Sequence, residues 1–220
     1  MTNTIHKKAL IAGSTGLVGN ELLQILLSDP RYIEIHVPGR RAPEVSDPRV
    51  IFHPTDFSQL DDLPQNGINE VYCALGTTIK KAGSKEQFRL IDFDAVVNLA
   101  RWAAAAEVNH FVVVSSIGAH PKSSTFYLRT KGQMEQVLKT CRLKNLTIVR
   151  PSLLLGNREE FRLGEKISAW FMKPLGFLMR GPLKKYRPIE ATQLAKAMIH
   201  LAKTKLGDTF VVENERLLDS

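Results

Sequence analysis

With 220 residues, the chain has room for one sizeable hydrophobic core and too few residues for two comfortable domains. Its 44% hydrophobic and 24% charged residues fit an ordinary globular protein, and no window approaches the roughly 18 uninterrupted apolar residues of a membrane span. The net charge of +8 is spread as the pairs Lys7-Lys8, Arg40-Arg41, Lys80-Lys81 and Lys184-Lys185, without aromatic interleaving, which sets nucleic acid aside as the main partner.

The opening MTNTIHKK holds no apolar run of signal-peptide length, so a cytoplasmic protein is expected. A short apolar run, Leu10 to Ala12, then reads as a buried strand. It breaks into Gly13-Ser14-Thr15-Gly16-Leu17-Val18-Gly19 and resumes as a helical apolar pattern at Leu17, Val18, Leu22, Leu23, Leu26 and Leu27. A strand, a glycine turn and a helix start make an anion site, where backbone N–H groups and the helix dipole face one point. Glycines there admit a pyrophosphate and let helix and strand pack closely, so these seven residues are the expected dinucleotide-binding turn.

Residues 33–37 read as a second strand, and Gly39-Arg40-Arg41 follows it, about 20 residues past the last glycine. A site preferring NAD would place an acid there for the ribose hydroxyls. Two guanidinium groups instead favour the 2′-phosphate of NADP, with NAD kept open. After a third strand at 49–53, Asp56 and Phe57 are candidates to flank the adenine. A fourth strand at 70–75 ends in Leu75-Gly76-Thr77, at the sheet edge where open α/β folds bind ligands.

A long helix is expected over 84–107 and a fifth strand over 111–116, ending in Ser115-Ser116. The next helix, 124–144, carries Tyr127-Leu-Arg-Thr-Lys131, two polar groups four apart on one helix face. An ammonium beside a phenol favours the phenolate, so such a tyrosine can exchange a proton with a substrate oxygen while a hydride moves. A serine hydroxyl can orient the same oxygen. A sixth strand is expected over 146–150, an amphipathic helix over 191–203 and a final strand over 209–213.

Strands alternating with helices specify an α/β fold, a doubly wound parallel sheet of Rossmann type with helices on both faces. The whole chain, 1–220, is read as one such domain, with 151–220 contributing a small substrate-covering region. Large apolar residues over 170–179 read as helices capping a substrate cleft, or else as an interfacial membrane helix. Cys73 and Cys141 read as buried reduced thiols, and no His or Cys spacing suggests a metal.

The stretches GSTGLVG, GRR, LGTT, VVVSSIGA, YLRTKGQME and VRPSLLLG, in that order, resemble the short-chain dehydrogenases/reductases. The resemblance is tightest to the atypical branch that includes the Tat-interacting oxidoreductase-like proteins. It implies that Gly13, Gly16 and Gly19 bind the pyrophosphate, Arg40 and Arg41 select NADP, and Tyr127 is the acid/base. It further implies that Lys131 holds the nicotinamide ribose, Ser116 is the catalytic hydroxyl and Pro151 lies beside the nicotinamide.

The chain departs from the family in three ways. Asp92 stands where related dehydrogenases have an asparagine, the interval from Ser116 to Tyr127 is short, and the C-terminal part is too brief for the lobe that grips nucleotide sugars. Two functions follow. One is an NADP-dependent oxidoreductase of a small carbonyl or alcohol. The other is an NAD(P)-binding regulatory or scaffold protein that acts through a protein partner. The molecule would be a monomer or a homodimer.

Overall fold

The computed structural model describes residues 6–156, 181–204 and 209–219. The first strand, Lys7–Ala12 (β1), gives way to a turn and then to the helix Leu17–Ser28 (α1), which buries Val18, Leu22, Leu23 and Leu26. Strands Tyr32–Gly39 (β2) and Val50–Pro54 (β3) follow on one side of β1, and Glu70–Cys73 (β4) pairs with β1 on the other. His110–Val114 (β5) and Leu146–Arg150 (β6) extend the sheet outward. Two short strands, Leu154–Leu155 (β7) and Ile189–Glu190 (β8), pair with each other, and Thr209–Glu213 (β9) closes the far edge.

The main sheet has seven parallel strands in the order β3-β2-β1-β4-β5-β6-β9. Its side chains alternate between two cores. Ala9 and Ile11 face α1 and the helix Ala191–Lys203 (α6), whose Leu194, Ala195 and Met198 are buried. Leu10, Ala12, Val71 and Cys73 join the opposite cluster, with Leu99 and Ala103 of the helix Ala95–Ala105 (α4) and Met134 and Leu138 of the helix Phe126–Leu138 (α5). Burial on both faces explains why these strands are continuous apolar runs. The expected doubly wound fold is therefore the observed one.

Boundaries differ from expectation in informative places. The helix expected over 84–107 is built from Lys85–Arg89 (α3), a π-helical turn at Leu90–Asp94, and α4, running on without a break. The helix expected over 124–144 stops at Leu138, before Arg142 adopts a φ of +53°. β4 ends at Cys73 and β5 at Val114, so Leu75 to Thr77 and Ser115-Ser116 lie beyond the sheet edge. Short helices at Ile79–Ala82 (α2) and Asn214–Leu217 (α7) and a 3₁₀ turn at Gly181–Tyr186 were not expected. The segment 170–179 lies outside the described residues. Among the described residues no helix is long and apolar enough to cross a membrane.

Candidate functional site

β1 is where the strand order turns: the chain steps from it to β2 and β3, then returns to β4 on its other side. A crevice opens beyond the strand ends at such a point. Gly13, with φ +85°, turns the chain there, and a Cβ on it would meet the Ala74 carbonyl oxygen at 2.8 Å. Gly19 allows an even closer approach, since a Cβ there would stand 2.0 Å from the Gly13 oxygen. Gly16 is the N-cap of α1; it brings no side chain to the first-turn amides, and no acid stands in that turn. The positive end of the helix is thus left open toward the cleft that Gly13, Ser14, Thr15, Gly16, Leu17 and Val18 line. Gly19 itself is buried behind them.

Arg40 and Arg41, past the end of β2, are exposed on the rim of the same cleft. Among the described residues neither guanidinium pairs with an acid, so both forks are available to an anion. Asp56 and Phe57 stand nearby. The Asp56 carboxylate accepts the Ser58 hydroxyl at 2.6 Å and the Ser58 amide at 2.9 Å, which holds it below the ordinary aspartate range. Phe57 is buried in the core that contains Leu63 and Ile68, and its carbonyl accepts from Asn98 Nδ2 at 3.0 Å.

At the other end of the cleft lie Leu75, Gly76, Thr77, Ser116, Tyr127, Lys131 and Pro151. The Tyr127 ring packs on Phe88 at 5.6 Å between centroids, which fixes it against α3. Arg129 holds the short loop before α5 by donating to the Ser123 and Ser124 carbonyls at 2.7 and 3.0 Å. That anchoring is how the brief interval between Ser116 and Tyr127 still delivers both side chains to one cleft. Ser115 points elsewhere: its hydroxyl donates to Glu135 Oε1 at 2.5 Å, and Arg150 grips the same carboxylate through Nε at 3.0 Å. That bond ties the end of β5 to α5, one helical turn beyond Lys131.

The largest surprise is Asp92. Its side chain is 1% exposed and lies 2.8 Å from the Lys131 ammonium, itself 3% exposed. The other carboxylate oxygen accepts the Thr77 amide at 2.8 Å. Burial works against the charged form of Lys131, yet Asp92 foremost, then Tyr127, outweigh it and raise the lysine above its ordinary range. The π turn at Leu90–Asp94 carries Asp92, and such turns recur at functional sites. Sequence reading noted the acid but not its partner; the available signal was that a buried lysine needs a counter-ion. Ser152, Leu153, Leu154, Leu155 and Gly156 also line the cleft and were not singled out.

The site is thus one cleft of about 900 Å³, anion-seeking at the glycine turn, basic at one rim and bearing Tyr127, Lys131 and Ser116 at the far end. A nucleotide cofactor fits it, because the uncapped start of α1 and the rim arginines present donors to its phosphates. Residues 13–169 match the NAD(P)H-binding family, and the chain belongs to that family. It is similar to Protein FMP52, mitochondrial, of Debaryomyces hansenii, 32% identical over 212 residues that cover 93% of this chain and 92% of the relative. It is also similar to Protein HTATIP2 of Rattus norvegicus, 30% identical over 218 residues covering 97% and 88%. The resemblance to the Tat-interacting branch is borne out, and the cofactor is an NAD(P).

Among solved structures the chain resembles MoeE5 in complex with UDP-glucose and NAD, with TM-score 0.70 at 14% identity over 96% of this chain and 80% of that one. It also resembles the PhqB reductase domain from Penicillium fellutanum, with TM-score 0.68 at 16% identity over 97% and 70%. At such identity these likenesses establish the fold alone. One expectation is overturned: the fungal relatives are named as mitochondrial proteins, so the cytoplasmic location read from the N-terminal residues is corrected. Short of a signal peptide, the absence of an apolar run does not distinguish cytosol from an organelle.

Proposed function

We propose that the protein is an NADP-dependent oxidoreductase that interconverts a small carbonyl compound and its alcohol. The observation that carries this reading is the continuity of one cleft from the glycine turn, past Arg40 and Arg41, to Ser116, Tyr127 and Lys131. In it Gly13 to Gly19 take the pyrophosphate, and the two arginines take the 2′-phosphate. Asp56 and Phe57 flank the adenine, while Leu75, Gly76, Thr77 and Pro151 border the nicotinamide half. When bound there, the nicotinamide supplies or accepts the hydride. Tyr127 exchanges a proton with the substrate oxygen, Ser116 orients that oxygen, and Lys131 holds the nicotinamide ribose. Residues 151–220 contribute the substrate wall, beginning with Ser152 to Gly156.

A second reading, an NAD(P)-responsive regulatory or scaffold protein, is favoured by the Asp92–Lys131 pair, since an acid on the lysine offsets the charge that would activate Tyr127. Turnover separates the two. With NADPH and a broad panel of aldehydes and ketones, the enzyme reading expects NADPH oxidation. It expects Tyr127→Phe to lose at least about 100-fold in rate while keeping cofactor affinity. NADPH that binds normally but is oxidised by no carbonyl hands the case to the second reading.

A further inference from the structure

Where α3 and α4 run beside α5, the seam between them gathers bases. The Lys85 ammonium lies 5.5 Å from the centre of the Phe126 ring, and the Arg129 guanidinium reaches the same ring at 5.8 Å. One turn along α3, Arg89 stacks 4.0 Å over Phe93 and donates to Gln133 of α5 at 3.1 Å. Farther on, burial raises the Cys141 thiol and the Arg101 charge partly offsets it, which sets Arg101 of α4 opposite the end of α5. Most acids of the same stretch are spent elsewhere: Asp92 on Lys131, Glu135 on Arg150 and Glu107 on Lys144. Glu86 and Asp94 remain against these four bases and the exposed Lys122 and Lys139. Among the described residues no carboxylate forms an ion pair with Lys85, Arg89, Arg101 or Arg129.

Arginines with a carboxylate in reach behave differently in this molecule. Arg31, Arg49 and Arg150 each grip one through Nε and Nη2. Arg89 and Arg129 rest on aromatic rings and neutral acceptors instead, which orders each guanidinium and leaves its charge uncompensated. Both use Nη1 for those bonds, so among the described residues Nε and Nη2, the pair that grips carboxylates elsewhere, stay open. We propose that this seam is a docking surface for an acidic polypeptide segment of a partner protein, whose Asp or Glu carboxylates take the open forks of Arg89 and Arg129. From Lys85 to Arg101 the helix advances about 24 Å, which an extended chain spans in about seven residues. Docking here needs no turnover and stands whichever reading of the cleft holds.

Other occupants suit the seam less well. A second copy would bring its own bases against these, and like charges repel. Single-stranded nucleic acid stacks its bases on aromatic rings, and cations already cover Phe126 and Phe93. Stable attachment to a membrane needs an apolar anchor beside a basic patch. The exposed large apolar side chains Ile33, Ile51, Leu183 and Tyr186 lie on other elements, and Leu90 lines the cleft. Planar forks held at fixed positions suit discrete carboxylates.

The test is binding of a fluorescein-labelled decaglutamate peptide to the full chain, followed by anisotropy at about 0.15 M salt. Arg89→Glu with Arg101→Glu is expected to weaken the peptide at least about 10-fold. Lys185→Glu with Lys196→Glu, an equal change of net charge on other elements, is expected to keep affinity within about threefold, because salt screens charges away from the contact. An equal loss in both variants, or no binding to the unsubstituted chain, overturns the proposal. So does capture of phosphatidylglycerol vesicles or duplex DNA in place of the peptide, and so does a homodimer in sedimentation that the seam reversal dissolves. Should the seam variant fail to fold, carbodiimide coupling of the peptide to the unsubstituted chain decides. Coupling at Lys85 supports the docking surface, and coupling confined to lysines off the seam, such as Lys185 and Lys196, overturns it.

Discussion

A methyl group at residue 19 would stand 2.0 Å from the Gly13 carbonyl oxygen, so the turn cannot accept it without moving. Gly19→Ala should therefore weaken NADPH binding at least about 10-fold, measured by titration, since losing one charge-assisted contact from a displaced turn amide costs about 1.5–3 kcal/mol. A variant that binds as tightly as the original would show that the turn is not the phosphate site. The rim arginines give a second expectation at this scale. Replacing Arg40 and Arg41 together by alanine removes two charge-assisted contacts, each worth about 1.5–3 kcal/mol, from NADPH alone. Affinity for NADPH should fall at least about 100-fold while that for NADH stays unchanged. Equal loss for both nucleotides would assign the arginines to something other than the 2′-phosphate. Glycines and arginines of this kind are legible in sequence, because their chemistry depends on backbone freedom and fixed charge rather than on distant packing. Asp92 was not legible in the same way: its meaning lies in a lysine 39 positions away, brought to it only by the folded arrangement of two helices.

Elements were legible where their burial was one-sided or complete. The stripe Val18, Leu22, Leu23, Leu26 announces α1, and the amphipathic helix expected over 191–203 is the observed α6, Ala191–Lys203. Leu22, fully buried between α1 and the sheet, should cost about 2–5 kcal/mol of stability as Leu22→Ala, read from a denaturant melt. The π turn was not legible, since Leu90–Asp94 carries no Gly or Pro to set it apart from the α-helical stretches on either side.

Packing between elements also fixes a histidine. His110, at the start of β5, faces the Ala202 carbonyl through Nδ1 at 3.1 Å and Thr147 Oγ1 through Nε2 at 2.8 Å. A carbonyl only accepts, so Nδ1 carries the proton and Nε2 accepts from the Thr147 hydroxyl, leaving the ring neutral. Burial lowers His110 below its ordinary range, and it does the same for His36 and His53. A lowered folded value means that the unfolded chain takes up the proton first. Stability is then full above about pH 6.5, the ordinary histidine value, and falls as pH drops below it and through the lowered native value. The melting temperature should be flat from about pH 7 to 8 and decline below about pH 6.5. For His110 the slope reaches up to about 1.4 kcal/mol per pH unit. His110→Gln should make that decline shallower; an identical decline would remove His110 from the cause.

At the scale of the molecule, the fold gathers two groups of residues more than a hundred positions apart, the turn at Gly13 and the pair Tyr127 and Lys131, onto one cleft at the edge where β1 meets β4. The parallel sheet does this because every strand ends on the same side, so the loops that follow β1, β2, β4, β5 and β6 all open onto it. A ligand that bridges those loops should hold both sides of the sheet together. At a hundred times its dissociation constant, NADPH should stabilise the chain by about 2.7 kcal/mol, visible as a raised melting temperature. The most direct measurement is a crystal structure grown with NADP. The expected electron density shows one dinucleotide with its pyrophosphate on the amides of Gly13 to Val18, its 2′-phosphate between Arg40 and Arg41, and its nicotinamide ribose within hydrogen-bond reach of Lys131. A dinucleotide bound at the glycine turn with its nicotinamide end directed away from Tyr127 and Lys131 would contradict the proposed function.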